Sequence, residues 1–254
     1  MKYIVLDFET SNYNYGSSFD TRNFPVALVL LHNGTERKLY KYHWLDKNQS
    51  NCTLDEISLI LRENLDVCII GHRLNFDIHW LNRNKLEHGN NLFDTMFLPY
   101  LEREGHIEKG TLTLEYLSGQ KDKLGNLLVH KHGLDPSLLS AKIIMDYCVK
   151  DVLATEKLFL EQIERMRLWI KVGKKCSEDV PTTNSTTSLS NLHKLMCDLL
   201  PIIIECESNG FKLDLELLQK IYKEQLEIQD KQISDLLVIL KDKYDLEEFN
   251  PNSH

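Results

Sequence analysis

Tyr3-Ile4-Val5-Leu6-Asp7-Phe8-Glu9 decides the fold of this chain. Tyr3-Ile4-Val5-Leu6 is a short, β-rich apolar run, the pattern of a strand buried on both faces. It ends on two carboxylates spaced two apart. Side chains alternate across a strand, so Asp7 and Glu9 point to the same side. Two carboxylates at that separation repel each other unless a cation lies between them. Oxygen donors of this kind suit Mg2+ or Mn2+. Taken alone, such a triplet also fits a solvated strand end.

Outward from this strand the pattern is mixed. Val26-Ala27-Leu28-Val29-Leu30-Leu31 and Lys38-Leu39-Tyr40-Lys41-Tyr42 flank Asn33-Gly34, which predicts a hairpin turned at that pair. Residues 54–64 are amphipathic and predict a helix. Val67-Cys68-Ile69-Ile70-Gly71 predicts a second buried strand, after which Asp77 opens a helix through Ile78, Trp80 and Leu81. Residues 141–167 carry apolar side chains at helical spacing and predict one or two helices. The order implies an α/β domain with a mixed sheet. Residues 189–208 and 215–243 are helical by the same criterion, the first closed by Asn209-Gly210.

The 254 residues carry 30 Lys+Arg against 38 Asp+Glu, a net charge of -8. That balance excludes a protein that coats nucleic acid by charge alone, and leaves room for an enzyme that handles it through metal ions. Residues 190–254 hold 7 basic and 13 acidic side chains, so the acidity is concentrated at that end. A polar stretch at 173–189 separates the parts and predicts a linker. The domains expected are therefore 1–172, the linker 173–189, and a helical segment 190–254. No apolar run approaches the ~20 residues of a membrane span. Cys52, Cys68, Cys148, Cys176, Cys197 and Cys206 form no CxxC, which reads as reduced thiols in a cytosolic protein.

Two further carboxylate signals lie downstream. Asp77 lies in Gly71-His72-Arg73-Leu74-Asn75-Phe76-Asp77, where it is either a helix N-cap or a third metal carboxylate delivered beside the first strand. Tyr147 and Asp151 are four apart, hence on one helix face.

As a set, these three segments resemble the three motifs of the DEDD 3′–5′ exonucleases, on a ribonuclease H-like fold. Tyr147, four before Asp151, marks the tyrosine subtype; the histidine subtype has His where this chain has Asp146. Phe93-Asp94-Thr95-Met96 and Leu112-Thr113-Leu114-Glu115-Tyr116-Leu117 resemble the family's intervening segments. Leu199-Leu200-Pro201-Ile202 with Glu207-Ser208-Asn209-Gly210-Phe211-Lys212-Leu213-Asp214 is similar to the start of the polymerase portion of family A DNA polymerases. Phe249-Asn250-Pro251-Asn252-Ser253 resembles the stretch just after the first thumb helices there.

The resemblance implies that Asp7, Glu9, Asp77 and Asp151 hold two Mg2+ or Mn2+ ions and that Tyr147 orients the attacking water. Thr10 and Phe76 match positions that contact the 3′-terminal nucleotide. The family's usual Asn, four before the Asp of the second motif, is replaced by Arg73, with Asn75 two before. Arg73 can grip a phosphate bidentately, so both are strand-binding candidates. Tyr13 to Pro25 is a longer connection and reads as a loop over the site. The pairs His130 with His132 and His193 with Cys197 lack further ligands in a recognisable pattern and read as surface or core.

The expected protein is a proofreading exonuclease that trims single-stranded 3′ ends of DNA to nucleoside 5′-monophosphates. It would work in the cytoplasm of a bacterial cell or phage-infected host. Its partner would be the remaining polymerase portion, in a split enzyme or a longer chain, since the thumb-like segment looks interrupted at its end. Two alternatives stand beside this one: an RNA-trimming exonuclease of the same fold, and a docking subunit for a separate polymerase part.

Overall fold

The structure, a computed structural model, describes residues 1–103, 108, 110–119, 134–176, 185–210 and 212–244. His130, His132, Phe211 and residues 249–253 fall outside them. Residues 1–208 form one compact unit and residues 209–254 a second.

The first unit is built on a five-stranded mixed sheet: β1 (Tyr3–Thr10), β2 (Pro25–Asn33), β3 (Arg37–His43), β4 (Cys68–Gly71) and β5 (Leu92–Asp94). Their order is β3-β2-β1-β4-β5, antiparallel on the hairpin side of β1 and parallel on the other. β1 lies at the centre and is buried almost throughout, as its apolar run requires. The hairpin departs from expectation at its tip. Asn33 pairs with Arg37, so Asn33 ends β2 and residues 34–36 make the turn. β5 is too short and too plain in sequence for periodicity to mark it.

Alternation along β1 sends side chains to two cores. Ile4, Leu6 and Phe8 pack with α1 (Leu54–Glu63) and α2 (Leu74–Arg83), through Ile57, Leu61, Ile78 and Leu81. Tyr3 and Val5 pack against the long α5 (Ala141–Cys176), through Ile144, Cys148, Val152 and Phe159. The short helices α3 (Phe97–Glu102) and α4 (Leu114–Ser118) lie between β5 and α5 in sequence. α1 starts on a capping box in which Thr53 and Glu56 each accept the other's backbone N–H. α5 is a single helix of 36 residues.

Helices occupy both ends of the stretch 173–189 that the sequence reads as a linker. α5 runs to Cys176 and α6 (Ser185–Asn209) begins at Ser185. α6 also belongs to the first unit, although the sequence places it with the helical segment from 190. His193, Cys197, Leu200 and Ile204 form one helical stripe, and all four are buried. Leu200 and Ile204 join the α1/α2 core, and Glu207 Oε2 meets His79 Nε2 on α2 at 2.6 Å. His193 stacks on Phe93 with ring centroids 4.6 Å apart. His193 and Cys197 are thus core residues.

The second unit contains α7 (Leu215–Tyr244), capped by the Asp214 carboxylate, which accepts the N–H of Leu217. None of its described residues is buried; Leu217, Ile221 and Ile228 are all exposed. Among the described residues no helix is long and apolar enough to cross a membrane.

Candidate active site

β1 is longer than its parallel neighbour. Val5 is the last residue of β1 paired with β4, opposite Ile70. Beyond that point no strand among the described residues lies on the β4 side of the β1 backbone. The gap is filled by Asp77, whose Oδ1 accepts the Phe8 N–H at 2.9 Å. Asp77 is 2 % exposed. The sequence left open whether Asp77 caps its helix, and it does not. α2 starts three residues earlier, at Leu74, with Arg73 as N-cap in the left-handed conformation at φ 62°.

Arg73 offers no side-chain cap, and the missing acceptor comes from β5. Asp94, 1 % exposed, accepts the N–H groups of Arg73 at 3.1 Å, Leu74 at 2.8 Å and Met96 at 2.9 Å. It therefore holds the start of the helix on which Asp77 rides. In the sequence Asp94 stands out only as part of a family segment; its capping role is invisible there because donors and acceptor are about 20 residues apart.

Asp7 and Glu9 project from the end of β1 toward α5, opposite the face that carries Phe8. The antiparallel register shifts between Glu9 and Thr10, an irregularity of the kind that re-aims a side chain beside a site. From α5, the Cys148 thiol lies 3.3 Å from Asp7 Oδ2 and 3.3 Å from the Asp7 carbonyl oxygen. One potential ligand atom each from Asp7, Glu9 and Cys148 all fall within 4.8 Å of one another. Tyr147 is buried on the same helix, and Asp151, half-buried, stands one turn on.

These groups share one electrostatic field. Burial pushes the Asp7 carboxyl up to about 7, against a weaker opposing pull from the Cys148 S–H. Burial, then the charge of Asp7, pushes Asp77 well above the usual carboxylate range. Burial likewise raises Asp94. The Cys148 thiol is pushed far up by burial and then by Asp7, with Glu9 and Asp151 adding to it. Burial is the leading influence on both Asp7 and Asp77. Carboxylates gathered this way, with burial opposing their charge, could hold a divalent cation by the chemistry of their donors.

The strand-binding candidates are drawn together by the connection at 11–24. Gly16, at φ +73°, turns this segment back so tightly that a Cβ there would lie 2.6 Å from Thr10 Oγ1 and 3.5 Å from Phe76 Cζ. Thr10 and Phe76 thus flank one point. Asn75 is half-buried in the first turn of α2, and the Arg73 side chain is exposed beside it. The connection is pinned by residues that sequence reading did not single out. The Asn23 amide accepts the Tyr13 N–H at 2.9 Å and donates to the Tyr13 and Ser17 carbonyls. Arg83 donates to the carbonyls of Ser18, Asp20 and Asn23, and the Trp80 indole donates to that of Gly16. Both lie on α2, so one helix carries Asp77 and anchors the loop.

Residues 1–166 match the 3'-5' exonuclease family. This chain belongs to that family. No curated protein matches it. Among solved structures, NrnC from Brucella melitensis is similar at 14% identity and TM-score 0.50, covering 82% of this chain and 86% of that one. NrnC bound to pGG gives 13% and 0.50 over 82% and 85%. NrnC with bound Mg2+ gives 13% and 0.49 over 82% and 86%. Likeness at such identities concerns the fold, a mixed sheet flanked by helices with a helical C-terminal region. The exonuclease fold expected from the sequence is the one observed.

Proposed function

We propose that this exonuclease hydrolyses single-stranded 3′ ends of DNA to nucleoside 5′-monophosphates with two divalent ions, Mg2+ or Mn2+. The observation that carries the reading is the grouping of Asp7, Glu9 and Asp77 at the end of β1, on the stretch that β4 does not pair. In this reading Asp7, Glu9, Asp77 and Asp151 hold the ions. When bound, these supply Lewis-acid polarisation of the scissile phosphate and a more acidic attacking water. Tyr147 aligns that water by hydrogen bonding, since a phenol of ordinary pKa ~10 is a poor base at neutral pH. Thr10 and Phe76 seat the terminal nucleotide, Asn75 lies beside them, and the exposed Arg73 guanidinium takes a phosphate of the strand. The bond broken joins phosphorus to the 3′ oxygen of the penultimate nucleotide.

Removal of mismatched ends for a DNA polymerase is the biological role we assign. Residues 209–254, with α6 before them, are then the start of a thumb whose continuation covers α7. The support is the resemblance across residues 199–214 and the exposure of the α7 apolar side chains. A second reading, trimming of short RNA by the same residues, draws on the NrnC structure bound to pGG. Matched 5′-labelled DNA and RNA oligonucleotides, digested with Mg2+, separate the two. The proposal expects a descending ladder on DNA at the greater rate, and a faster ladder on RNA would replace it with the second reading. Hydrogen exchange of α7, with and without the remaining polymerase sequence in trans, tests the thumb: unchanged exchange overturns it.

A further inference from the structure

Cys148 is an unexpected neighbour for a site of hard oxygen donors. Its side chain is fully buried, and its sulfur lies 3.3 Å from a carboxylate oxygen of Asp7, with a Glu9 oxygen inside the same 4.8 Å group. Donors that share one ion at bond lengths of about 2.0–2.3 Å stand roughly 3–4 Å apart, so the Asp7–Cys148 spacing is that of co-ligands. Mg2+ does not take sulfur, whereas Zn2+ and chemically similar thiophilic ions do.

We propose that Cys148 makes this a mixed oxygen–sulfur site, which captures thiophilic divalent ions through Asp7, Glu9 and the Cys148 sulfur in competition with Mg2+ or Mn2+. With a hard ion the sulfur keeps its proton and donates to Asp7. With Zn2+ or Cd2+ the S–H bond breaks, its proton passes to the buffer, and the sulfur electron pair forms the metal bond. No electron transfer is involved. The inference rests on the proposed metal-binding role of Asp7 and Glu9. It adds that the site discriminates among ions by softness, and that exposure to thiophilic metal would silence it.

The test is spectroscopic. Co2+ and, separately, Cd2+ are titrated into the intact metal-free protein without nucleic acid, and thiolate-to-metal charge-transfer absorption is recorded. The proposal expects a band that saturates at one ion per chain in the wild type. It expects loss of the band and at least about tenfold weaker Cd2+ binding in Cys148→Ser, which keeps a hydroxyl donor at that place. Asp7→Asn, which leaves every cysteine in place, should lose the band too and so exclude a remote thiol. Cys148→Ala serves if the serine variant does not fold, as circular dichroism reports. Absence of the band in the wild type, or its survival without Cys148, overturns the proposal. A protein that shows the band but cleaves nothing would instead overturn the exonuclease reading and leave this one standing.

Discussion

Replacing Asp7 with Asn should stabilise the metal-free protein, and the gain should grow with pH. The folded protein holds the Asp7 carboxyl at about 7, against about 4 for an unperturbed aspartate. A raised carboxyl pKa means that the folded state binds the proton more tightly than the unfolded chain. Stability associated with this group is therefore full at pH 4 and is lost as pH rises through 7. The free-energy equivalent is about 4 kcal/mol, with Asp77 adding in the same direction through its coupling to Asp7. His193 opposes this slope. Burial lowers its pKa to about 4, so its contribution is lost as pH falls from about 6.5 to 4. The raw wild-type profile mixes the two, but His193 is common to both proteins and cancels in the difference. Urea unfolding in chelator at pH 4, 6 and 8 gives that difference. Asp7→Asn should match wild type at pH 4 and exceed it by up to about 4 kcal/mol at pH 8. A flat difference, or a variant that loses stability as pH rises, would refute the reasoning.

The geometry fixes three further outcomes. Asp94→Ala leaves three backbone N–H groups without their acceptor, so it should cost about 2–4 kcal/mol in urea unfolding and lower turnover by releasing the helix that carries Asp77. Tyr147→Phe should lower turnover about 10–100-fold, the worth of one hydrogen bond, with a much smaller effect than Asp151→Asn under the same single-turnover conditions. Gly16→Ala forces a Cβ against Thr10 at a positive φ, so KM should rise several-fold while kcat changes less, as steady-state kinetics will read.

What could be read in the sequence was what is local. The run at residues 3–6, the hairpin strands and the helical periodicity of residues 141–167 are patterns of consecutive side chains, and each gave its element. Strand and helix periods also set Asp7 beside Glu9 and Tyr147 beside Asp151, whereas their reading with Asp77 as one site came from the resemblance. What escaped depends on distant contacts. The start of α2 was read three residues late because its N-terminus is satisfied by Asp94, from a strand too short to announce itself. Asn23 and Arg83 hold the loop through backbone carbonyls, which leave no trace in side-chain pattern. The assignment of α6 followed the polar composition before it. Its buried stripe from His193 to Ile204 is periodic, but periodicity says that a face is covered, not by what.

The central claim is that the carboxylates at the end of β1 hold divalent ions that drive cleavage at the 3′ end. Its most direct test is single-turnover digestion of 3′-labelled single-stranded DNA by the intact chain, with Mg2+ and with excess chelator, beside Asp77→Asn. The amide introduced by that substitution keeps an oxygen for the Phe8 N–H, so the strand end stays supported while the charge is removed. The account predicts rapid release of labelled mononucleotide by the wild type with Mg2+, and none in chelator or from the variant. Full release in chelator, or wild-type rates from Asp77→Asn, would contradict it.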